Sequence, residues 1–364
     1  MSRPLRVLYV YTARKKGLLA AAARGEQPDT LLFGLNHLAA HGIEAEVYEP
    51  EYGPLGRAVA SQAGRLGPDA LQLRTLTQFP AYDVVFLTGG WPLLLAARVL
   101  EKRRRPKLVW LNMTLTNRLR RGGPLALLIQ RAIRQADLVV CVARAQQRFL
   151  AERVGLPMER LPLALSGTDA GFYDPARASP ARPGGAGARG YVLAAGRDAG
   201  RDYATLLEAV RGDQRHLRLV CSARNLAGLA LPANAQVRFD IGPAELRDEY
   251  AGAAAVAVPT YGDSSTAGSD CSGTLVLLDA LAMGRPSVIS ARASVHDYAI
   301  PGHHTLCVPP RDPQALRAAL DRLLGDPDCA RQLGAEGQEH VRQRLTTRHF
   351  AARLAELFHQ AVAR

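Results

Sequence analysis

Short apolar runs of strand length alternate with helical patterns along the whole of this chain. In its first half the runs are 6–11, 43–48, 84–87, 108–111 and 138–142, and the helical patterns are 29–41, 55–66, 92–103, 124–135 and 144–153. This alternation is typical of parallel strands joined by crossover helices. The sequence therefore predicts an α/β fold built from doubly wound, Rossmann-like layers.

The alternation stops once and then restarts. Residues 174–190 are rich in proline, glycine and small side chains, which is typical of a linker. Strand-like runs then resume at 191–195, 217–221, 237–239, 254–258, 287–289 and 305–308. A length of 364 residues also exceeds what one hydrophobic core usually holds.

We therefore predict two domains that face each other across a cleft, because doubly wound sheets bind ligands at the carboxyl ends of their strands. The predicted parts are a first domain at 1–175, a linker at 176–190, a second domain at 191–345, and a C-terminal helix at 346–364 that packs back on the first domain. One helix has both ends marked, with Asp312 as its cap, Pro313 as its first residue and Gly325 as its end.

Two strings in the second half share a turn that contains glycine and opens a helix: LAAGRDAGRDYATLLEAV at 193–210 and DCSGTLVLLDALAMGRP at 270–286. A helix start offers unpaired backbone N–H groups and a positive dipole end to an anion. The first string adds Arg197 and Arg201, whose guanidinium groups can fork onto phosphate oxygens. The pair of strings predicts a diphosphate site.

Charge and cysteine content narrow the class of protein. The net charge is +13, and two explanations stay open. Only four of the 46 basic residues are lysine, and such an excess of arginine is typical of a GC-rich coding sequence. Alternatively, the charge attracts the protein to a polyanion or a membrane. Basic clusters at 102–107 and 118–121 can rest on anionic lipid, whereas no nucleic-acid module accompanies them. Five scattered cysteines without metal or redox spacing indicate reduced thiols. We expect a cytoplasmic protein, with peripheral contact at the inner face of the membrane left open, and no nucleic-acid partner.

Four motifs follow one another along the chain: residues 136–175, AGRDAGRDYATLLEAV, DCSGTLVLLDALAMGRPSVIS and LCVPPRDPQALRAAL. Together they resemble the GT-B glycosyltransferases of the family 4 type. Residues 136–175 are similar to the end of that family's first domain, with Ser-Gly-Thr-Asp at 166–169 where the family has Asn-Gly-Val-Asp. AGRDAGRDYATLLEAV resembles its Gly-Arg-plus-basic element, DCSGTLVLLDALAMGRPSVIS its donor-binding helix, and LCVPPRDPQALRAAL the stretch that follows. The resemblance implies retaining transfer of a sugar, without metal or other cofactor, from a UDP- or GDP-linked donor to a carbohydrate or lipid-linked acceptor.

The resemblance also implies roles for individual residues. Asp279 would bind the ribose hydroxyls, although a structural pairing accounts for this buried carboxylate equally well. The family has two glutamates eight positions apart, where this chain has Cys271 and Asp279, so Asp270 becomes the predicted catalytic carboxylate. The residues expected at the donor diphosphate are Gly196, Arg197, Arg201, Gly273, Thr274 and Leu275.

The first domain departs from the family pattern because the loops after its middle strands lack the family's histidine. Five residues become weak candidates for contact with the sugar or acceptor, with ordinary loop roles as the alternative: Arg14, Trp91, Asn112, Thr114 and Cys271. Three functions stay open at this point. They are a glycosyltransferase, a GT-B nucleotide-sugar epimerase or phosphorylase-like enzyme, and a non-catalytic nucleotide-sugar-binding protein.

Overall fold

The computed structural model describes residues 3–48, 68–97, 106–179, 190–213 and 215–364. The predicted helix 55–66, the end of the predicted helix 92–103, most of the predicted linker and basic residues 102–105 lie outside these ranges. The chain divides into two compact units. The first unit comprises Met1–Arg24, Asp29–Leu165 and Arg348–Arg364, and the second comprises Gly25–Pro28 and Ser166–Thr347.

The first unit is built on a parallel five-stranded sheet with the order β2-β1-β3-β4-β5. β3 and β5 are apolar and buried along their whole length, as expected for strands covered on both faces. The strands are β1 Leu5–Val10, β2 Ile43–Val47, β3 Val84–Leu87, β4 Lys107–Asn112 and β5 Leu138–Cys141. The helices are α1 Lys16–Ala23, α2 Trp91–Ala96, α3 Leu115–Arg120, α4 Gly123–Ile133 and α5 Arg144–Val154.

The helix predicted at 29–41 is wrong as a single α-helix. Two 3-10 segments, Thr30–Leu32 and Leu35–His41, take its place, because Phe33 and Gly34 both have left-handed backbone angles. The carbonyls of Leu32 and Phe33 accept hydrogen bonds from the hydroxyls of Tyr11 (2.6 Å) and Tyr9 (3.1 Å). These side-chain donors bind the carbonyls that an uninterrupted α-helix would use internally.

The second unit carries a parallel six-stranded sheet with the order β11-β10-β9-β6-β7-β8. Counted within the unit, this is the Rossmann order 3-2-1-4-5-6, which reverses direction between β6 and β9. The strands are β6 Tyr191–Ala195, β7 Leu217–Cys221, β8 Ala235–Phe239, β9 Ala253–Val258, β10 Ser287–Ser290 and β11 Leu306–Val308. The helices are α6 Tyr203–Ala209, α7 Pro243–Gly252, α8 Thr274–Ala282, α9 Val295–Tyr298, α10 Pro313–Gly325 and α11 Pro327–Arg344.

The two parallel-sheet α/β layers confirm the predicted fold class, and all eleven predicted strands are present within two residues of their predicted ends. The marked helix is also confirmed, since the Asp312 side chain accepts the Ala315 amide at 2.8 Å and α10 ends at Gly325. The predicted domain boundaries stay predictions. Shorter 3-10 segments are Pro68–Ala81, Met158–Arg160, Pro175–Arg177 and Ala223–Asn225.

The last helix, α12 Thr347–Ala363, belongs to the first unit from Arg348 onward. Its Phe358 is fully buried and lies edge-on to Phe86, with ring centroids 5.6 Å apart, and to Tyr9 at 6.5 Å. Aromatic pairs of this geometry add stabilisation beyond the area that they bury. Within the described ranges, no helix is long and apolar enough to cross a membrane.

Candidate functional site

The sequence places a glycine directly after β6, at the point where the strand order of the second unit reverses. Gly196 has a φ of +132°, which favours glycine. A Cβ atom at this position would lie 2.5 Å from both Nε and Nη2 of Arg201. Gly196 thus leaves the space in which the Arg201 guanidinium group lies, and the hydroxyl of Tyr203 anchors its carbonyl at 2.8 Å.

Arg201 is the central cation of this region. The residue is only 5% exposed, and its Nε and Nη1 atoms are buried without a hydrogen-bond partner in the part of the chain that the structure describes. A buried charge without a partner is costly, because it has lost its hydration and gained nothing in return. An anion bound at Arg201 would remove this cost.

The start of α8 reaches the same place. Gly273 precedes the helix with a φ of +93°, and a Cβ atom there would lie 2.9 Å from Cγ2 of Thr260 and 3.4 Å from Nη1 of Arg201. Gly273 has no side chain to cap the helix, and the Thr274 amide is taken by the Cys271 carbonyl at 3.2 Å. The first-turn amides that follow, including that of Leu275, have no acceptor within the helix.

Two hydroxyl groups complete a cluster of unsatisfied polar atoms. Oγ1 of Thr260, two residues after the end of β9, and Oγ of Ser272 are buried and have no hydrogen-bond partner among the described residues. Native proteins rarely leave such atoms unpaired unless a ligand, ion or water binds there. The Arg201 guanidinium group, these two hydroxyls and the start of α8 lie at the carboxyl ends of β6 and β9, where Rossmann sheets bind phosphates. We call this candidate site the anion cradle.

The loops of the cradle are braced by Asp198, which the sequence analysis missed. Its Oδ1 atom accepts the Gly200 amide at 2.8 Å and its Oδ2 atom accepts the Ser269 amide at 3.0 Å. The carboxylate therefore ties the loop after β6 to the loop before α8. An aspartate two residues before a glycine is a common turn signal, and this spacing in GRDAGRD could have identified it.

Arg292 is a second residue that the sequence analysis missed. Its buried guanidinium group donates to the carbonyls of Tyr261 (3.2 Å) and Asp270 (2.7 Å), and so fixes the segment that leads into α8. The Asp270 side chain is itself buried, just before the helix start. Its predicted catalytic role stays a prediction.

Cys271 follows Asp270 and carries a neutral thiol. Burial, together with the negative charge of Asp270, raises the pKa of Cys271 to about 12. The thiol is therefore protonated at neutral pH. Cys271 supplies no negative charge where the family pattern has a glutamate, so the only carboxylate beside the start of α8 in this stretch of sequence is that of Asp270.

Asp279 lies on α8 and is bound to two other side chains of the second unit. Oγ1 of Thr168 donates to Oδ1 of Asp279 at 2.6 Å, and Tyr173 contributes a second hydrogen bond. Burial raises the pKa of Asp279 to about 7, partly offset by these two bonds, and the charge of Asp169 raises it further. The ribose role predicted for Asp279 stays a prediction, because the carboxylate already has structural partners.

Two departures from the family pattern meet in this contact. Thr168 stands where the family turn has valine, and Asp279 stands where the family helix has glutamate. The shorter acid and the added hydroxyl form one buried hydrogen bond, which valine could not donate. The two substitutions therefore make one structural feature, which ties the 166–169 turn to α8.

Arg197 differs from Arg201 in its surroundings. Its side chain is 51% exposed and pairs with the exposed Asp240 at 3.1 Å. Exposed ion pairs of this kind contribute little to stability. The structure therefore places Arg197 at the surface of the second unit, and its predicted role as a phosphate ligand is untested.

The weak candidates of the first unit lie at or near the ends of helices and strands. Arg14 is exposed before α1, and Trp91 is a half-buried residue that begins α2 after Gly90. Asn112 is fully buried at the end of β4, where Oδ1 accepts the Leu115 amide at 3.0 Å but Nδ2 has no partner among the described residues. Thr114 is half-buried two residues later and makes no capping hydrogen bond. Only Asn112 thus presents a buried, unsatisfied donor, and all four roles stay predictions.

No group of three or more metal-ligating side chains is found within the described ranges. A search of curated proteins by sequence found no match. Two family models match different parts of the chain: "Glycosyltransferase Family 4" over residues 35–171 and "Glycosyl transferases group 1" over residues 192–326. Together they cover most of both units.

Solved structures share the fold over nearly the whole chain. Sucrose-phosphate synthase from Thermosynechococcus elongatus has a TM-score of 0.72 at 19% identity, covering 99% of this chain and 100% of that one. HepE from Anabaena in complex with UDP-glucose has a TM-score of 0.67 at 14% identity, covering 98% and 100%. A glycosyltransferase from Rickettsia africae has a TM-score of 0.63 at 12% identity, covering 100% and 99%.

The strand order of both sheets, the anion cradle after β6 and β9, and the two adjoining family matches agree with one another. The chain belongs to the group 1 glycosyltransferases and has the GT-B fold.

Proposed function

We propose that this glycosyltransferase moves a sugar from a UDP- or GDP-linked donor to an acceptor hydroxyl, with retention of the anomeric configuration and without a divalent metal. The observation that carries the proposal is the buried, unpaired guanidinium group of Arg201 at the start of α8. The UDP-glucose complex of the similarly folded HepE supports a nucleotide-sugar donor. The acceptor class is a carbohydrate or a lipid-linked hydroxyl compound.

The cradle can supply the stabilisation that this reaction needs. When the bond between sugar and diphosphate breaks, negative charge develops on the leaving phosphate oxygens. Arg201, the hydroxyls of Thr260 and Ser272, and the amides at the start of α8 are already oriented and partly desolvated, so they stabilise that charge with little reorganisation. In this proposal they do the work that a bound cation does in other phosphate sites.

The proposed role of Asp270 is electrostatic. Its buried carboxylate precedes the start of α8 and is followed by a neutral thiol at Cys271, and in this proposal it lies near the sugar end of the donor. Such a charge would stabilise the positive charge that develops on the sugar ring in a glycosyl-transfer transition state. Asp270→Asn would then lower kcat and leave donor affinity nearly unchanged.

A thermal-shift screen against UDP-, GDP- and ADP-sugars tests the donor assignment. A ligand present at 100 times its Kd stabilises the native state by about 2.7 kcal/mol, which gives a readily measured rise in Tm. The matching nucleotide sugar should raise the Tm of the wild type and not that of Arg201→Gln. No shift in Tm with any donor at concentrations up to about 1 mM, the upper end of typical KM values, would contradict the proposal.

Turnover tests the remaining parts of the proposal. With the donor identified, an acceptor panel should give a product whose anomeric configuration, read by proton NMR, matches that of the donor. The rate should be unchanged after chelation with EDTA. An inverted product would contradict the retaining mechanism, and a rate abolished by EDTA and restored by Mg²⁺ would contradict metal independence.

The neutral thiol of Cys271 favours one alternative, a nucleotide-sugar-binding protein without catalysis. Donor binding without turnover across a broad acceptor panel would support it. Isomerisation of the donor in the absence of acceptor would instead identify an epimerase, and phosphorolysis of a glycoside would identify a phosphorylase-like enzyme.

A further inference from the structure

Helix α4 of the first unit leaves an apolar face uncovered. Its buried side is formed by Ala126, Ile129, Ala132 and Ile133, which pack into the core of the unit. Leu125, Leu127 and Leu128 lie outside that core and are 51%, 68% and 44% exposed. Single exposed leucines are ordinary, but here Leu125 and Leu128 lie three residues apart and share one side of the helix, and Leu127 lies next to Leu128 around it. We call these three leucines the apolar strip.

The strip lies in a segment that is strongly basic. Residues 102–136 contain ten lysines and arginines and no aspartate or glutamate. Within the described part of this segment, five exposed arginines lie on α3, on α4 and directly after each of them: Arg118, Arg120, Arg121, Arg131 and Arg134. Exposed leucines are thus bordered by guanidinium groups on both sides along the chain.

This combination selects one kind of partner. A second copy of the chain would bring the same positive charges against each other, which like-charge repulsion opposes. An anionic lipid surface would instead accept the leucines among its acyl chains while the guanidinium groups remain at the phosphate level. Each basic residue held near such a surface strengthens binding about fivefold.

We infer that α4, with the arginines that flank it, is a peripheral docking surface for anionic membranes. The strip defined by Leu125, Leu127 and Leu128 enters the boundary between headgroups and acyl chains, and the arginines supply the preference for negative lipid. This surface lies in the first unit, and it is independent of the anion cradle of the second unit. A vesicle-binding result and a nucleotide-binding result can therefore fail separately.

Vesicle co-sedimentation of the full chain tests the inference. Vesicles of phosphatidylcholine alone are compared with vesicles that contain about one third phosphatidylglycerol, at low salt and in 0.5 M NaCl. The variant L125Q/L127Q/L128Q keeps good helix formers on α4 and removes the apolar strip. The control variant L231Q/F239Q/I300Q changes three side chains of the second unit with similar exposure, 46%, 48% and 55%.

We expect the wild type and the control variant to bind the anionic vesicles, with binding reduced by salt and weak on neutral lipid. The α4 variant should bind at least tenfold more weakly, with an unchanged Tm and unchanged nucleotide affinity. Equal binding by all three proteins, or no binding by the wild type, would overturn the inference. Light scattering tests whether a second copy of the chain covers the strip instead. A wild-type dimer that becomes a monomer only in the α4 variant would assign the strip to self-association and would also overturn the inference.

Discussion

Asp279→Asn should change how the stability of the second unit depends on pH. The carboxyl group is buried, and its pKa is raised from 3.8 to about 7 mainly by that burial. In the unfolded chain the same group has an ordinary pKa, so between pH 4 and 7 the native state holds a proton that the unfolded state has lost. The contribution of Asp279 to stability is therefore fully present below pH 4 and is lost as the pH rises through 7.

The size of the effect follows from one proton. A full difference of one bound proton changes the free energy of unfolding by about 1.4 kcal/mol per pH unit, and the slope approaches this value in the middle of the window. Asparagine retains an oxygen that can accept the 2.6 Å hydrogen bond from Thr168, while it removes the titration. The variant should lack this slope between pH 4 and 7.

Urea unfolding at pH 4.5, 5.5, 6.5 and 7.5, followed by far-UV circular dichroism, measures this slope. The two tryptophans, Trp91 and Trp110, both lie in the first unit, so their fluorescence monitors that unit separately as an internal reference. Asp328→Asn is a suitable control because Asp328 is exposed at the start of α11. If wild type and Asp279→Asn have the same slope, the buried environment assigned to this carboxyl group is wrong.

Four further substitutions or reactions test the cradle and its surroundings. Gly196→Ala should weaken nucleoside diphosphate binding at least tenfold because its Cβ displaces Arg201, whereas Gly228→Ala, which also has a positive φ but open space around it, should leave binding unchanged in the same titration. At pH 8, where most of Asp279 is ionised, Thr168→Val should lower the free energy of unfolding of the second unit by about 1.5–3 kcal/mol, the usual value for a hydrogen bond to a charged group. An unchanged free energy of unfolding would show that the Asp279 contact is not formed. Arg197→Ala should lose less diphosphate affinity than Arg201→Gln, since Arg197 is half exposed and already paired with Asp240. If calorimetry finds the larger loss of affinity in Arg197→Ala, the diphosphate binds nearer the surface than Arg201. Cys271 should react with iodoacetamide at pH 8 about a thousandfold more slowly in the native protein than in the urea-unfolded chain, because a raised pKa leaves little thiolate. Peptide mapping that finds rapid modification in the native protein would refute the raised thiol pKa.

Periodicity alone was enough to predict the strands. Short, continuous apolar runs such as VVFL and LVVC are typical of buried strands in a parallel sheet. The strand-like runs that resume after residue 190 indicated a second sheet. The 29–41 segment could not be predicted in the same way, because its leucine spacing is helical. What breaks the helix is the pair of tyrosine hydroxyls from β1 and the turn after it, which become neighbours only in the folded unit.

In the candidate site, too, some features follow from local sequence and others depend on the folded unit. Local sequence predicted the glycines and arginines of the cradle, since helix starts and glycine turns are local features. Sequence could not distinguish the buried, unpaired Arg201 from the exposed, paired Arg197, because that difference depends on the space left by Gly196 and on the approach of α8. Nor could it reveal that Thr168 and Asp279, 111 residues apart, form one hydrogen bond.

The central claim is that the Arg201 cradle binds the diphosphate of a nucleotide sugar. Calorimetric titration of UDP, GDP, UMP and GMP onto the wild type, Arg201→Gln and Arg211→Gln tests it most directly, since Arg211 is exposed and distant from the turn before α8 in sequence. One diphosphate should bind the wild type at least tenfold more tightly than its monophosphate does. Only Arg201→Gln should abolish this difference, because the charge-assisted bonds of Arg201 are made to the phosphates. Equal diphosphate affinity in the wild type and Arg201→Gln would contradict a diphosphate site at Arg201.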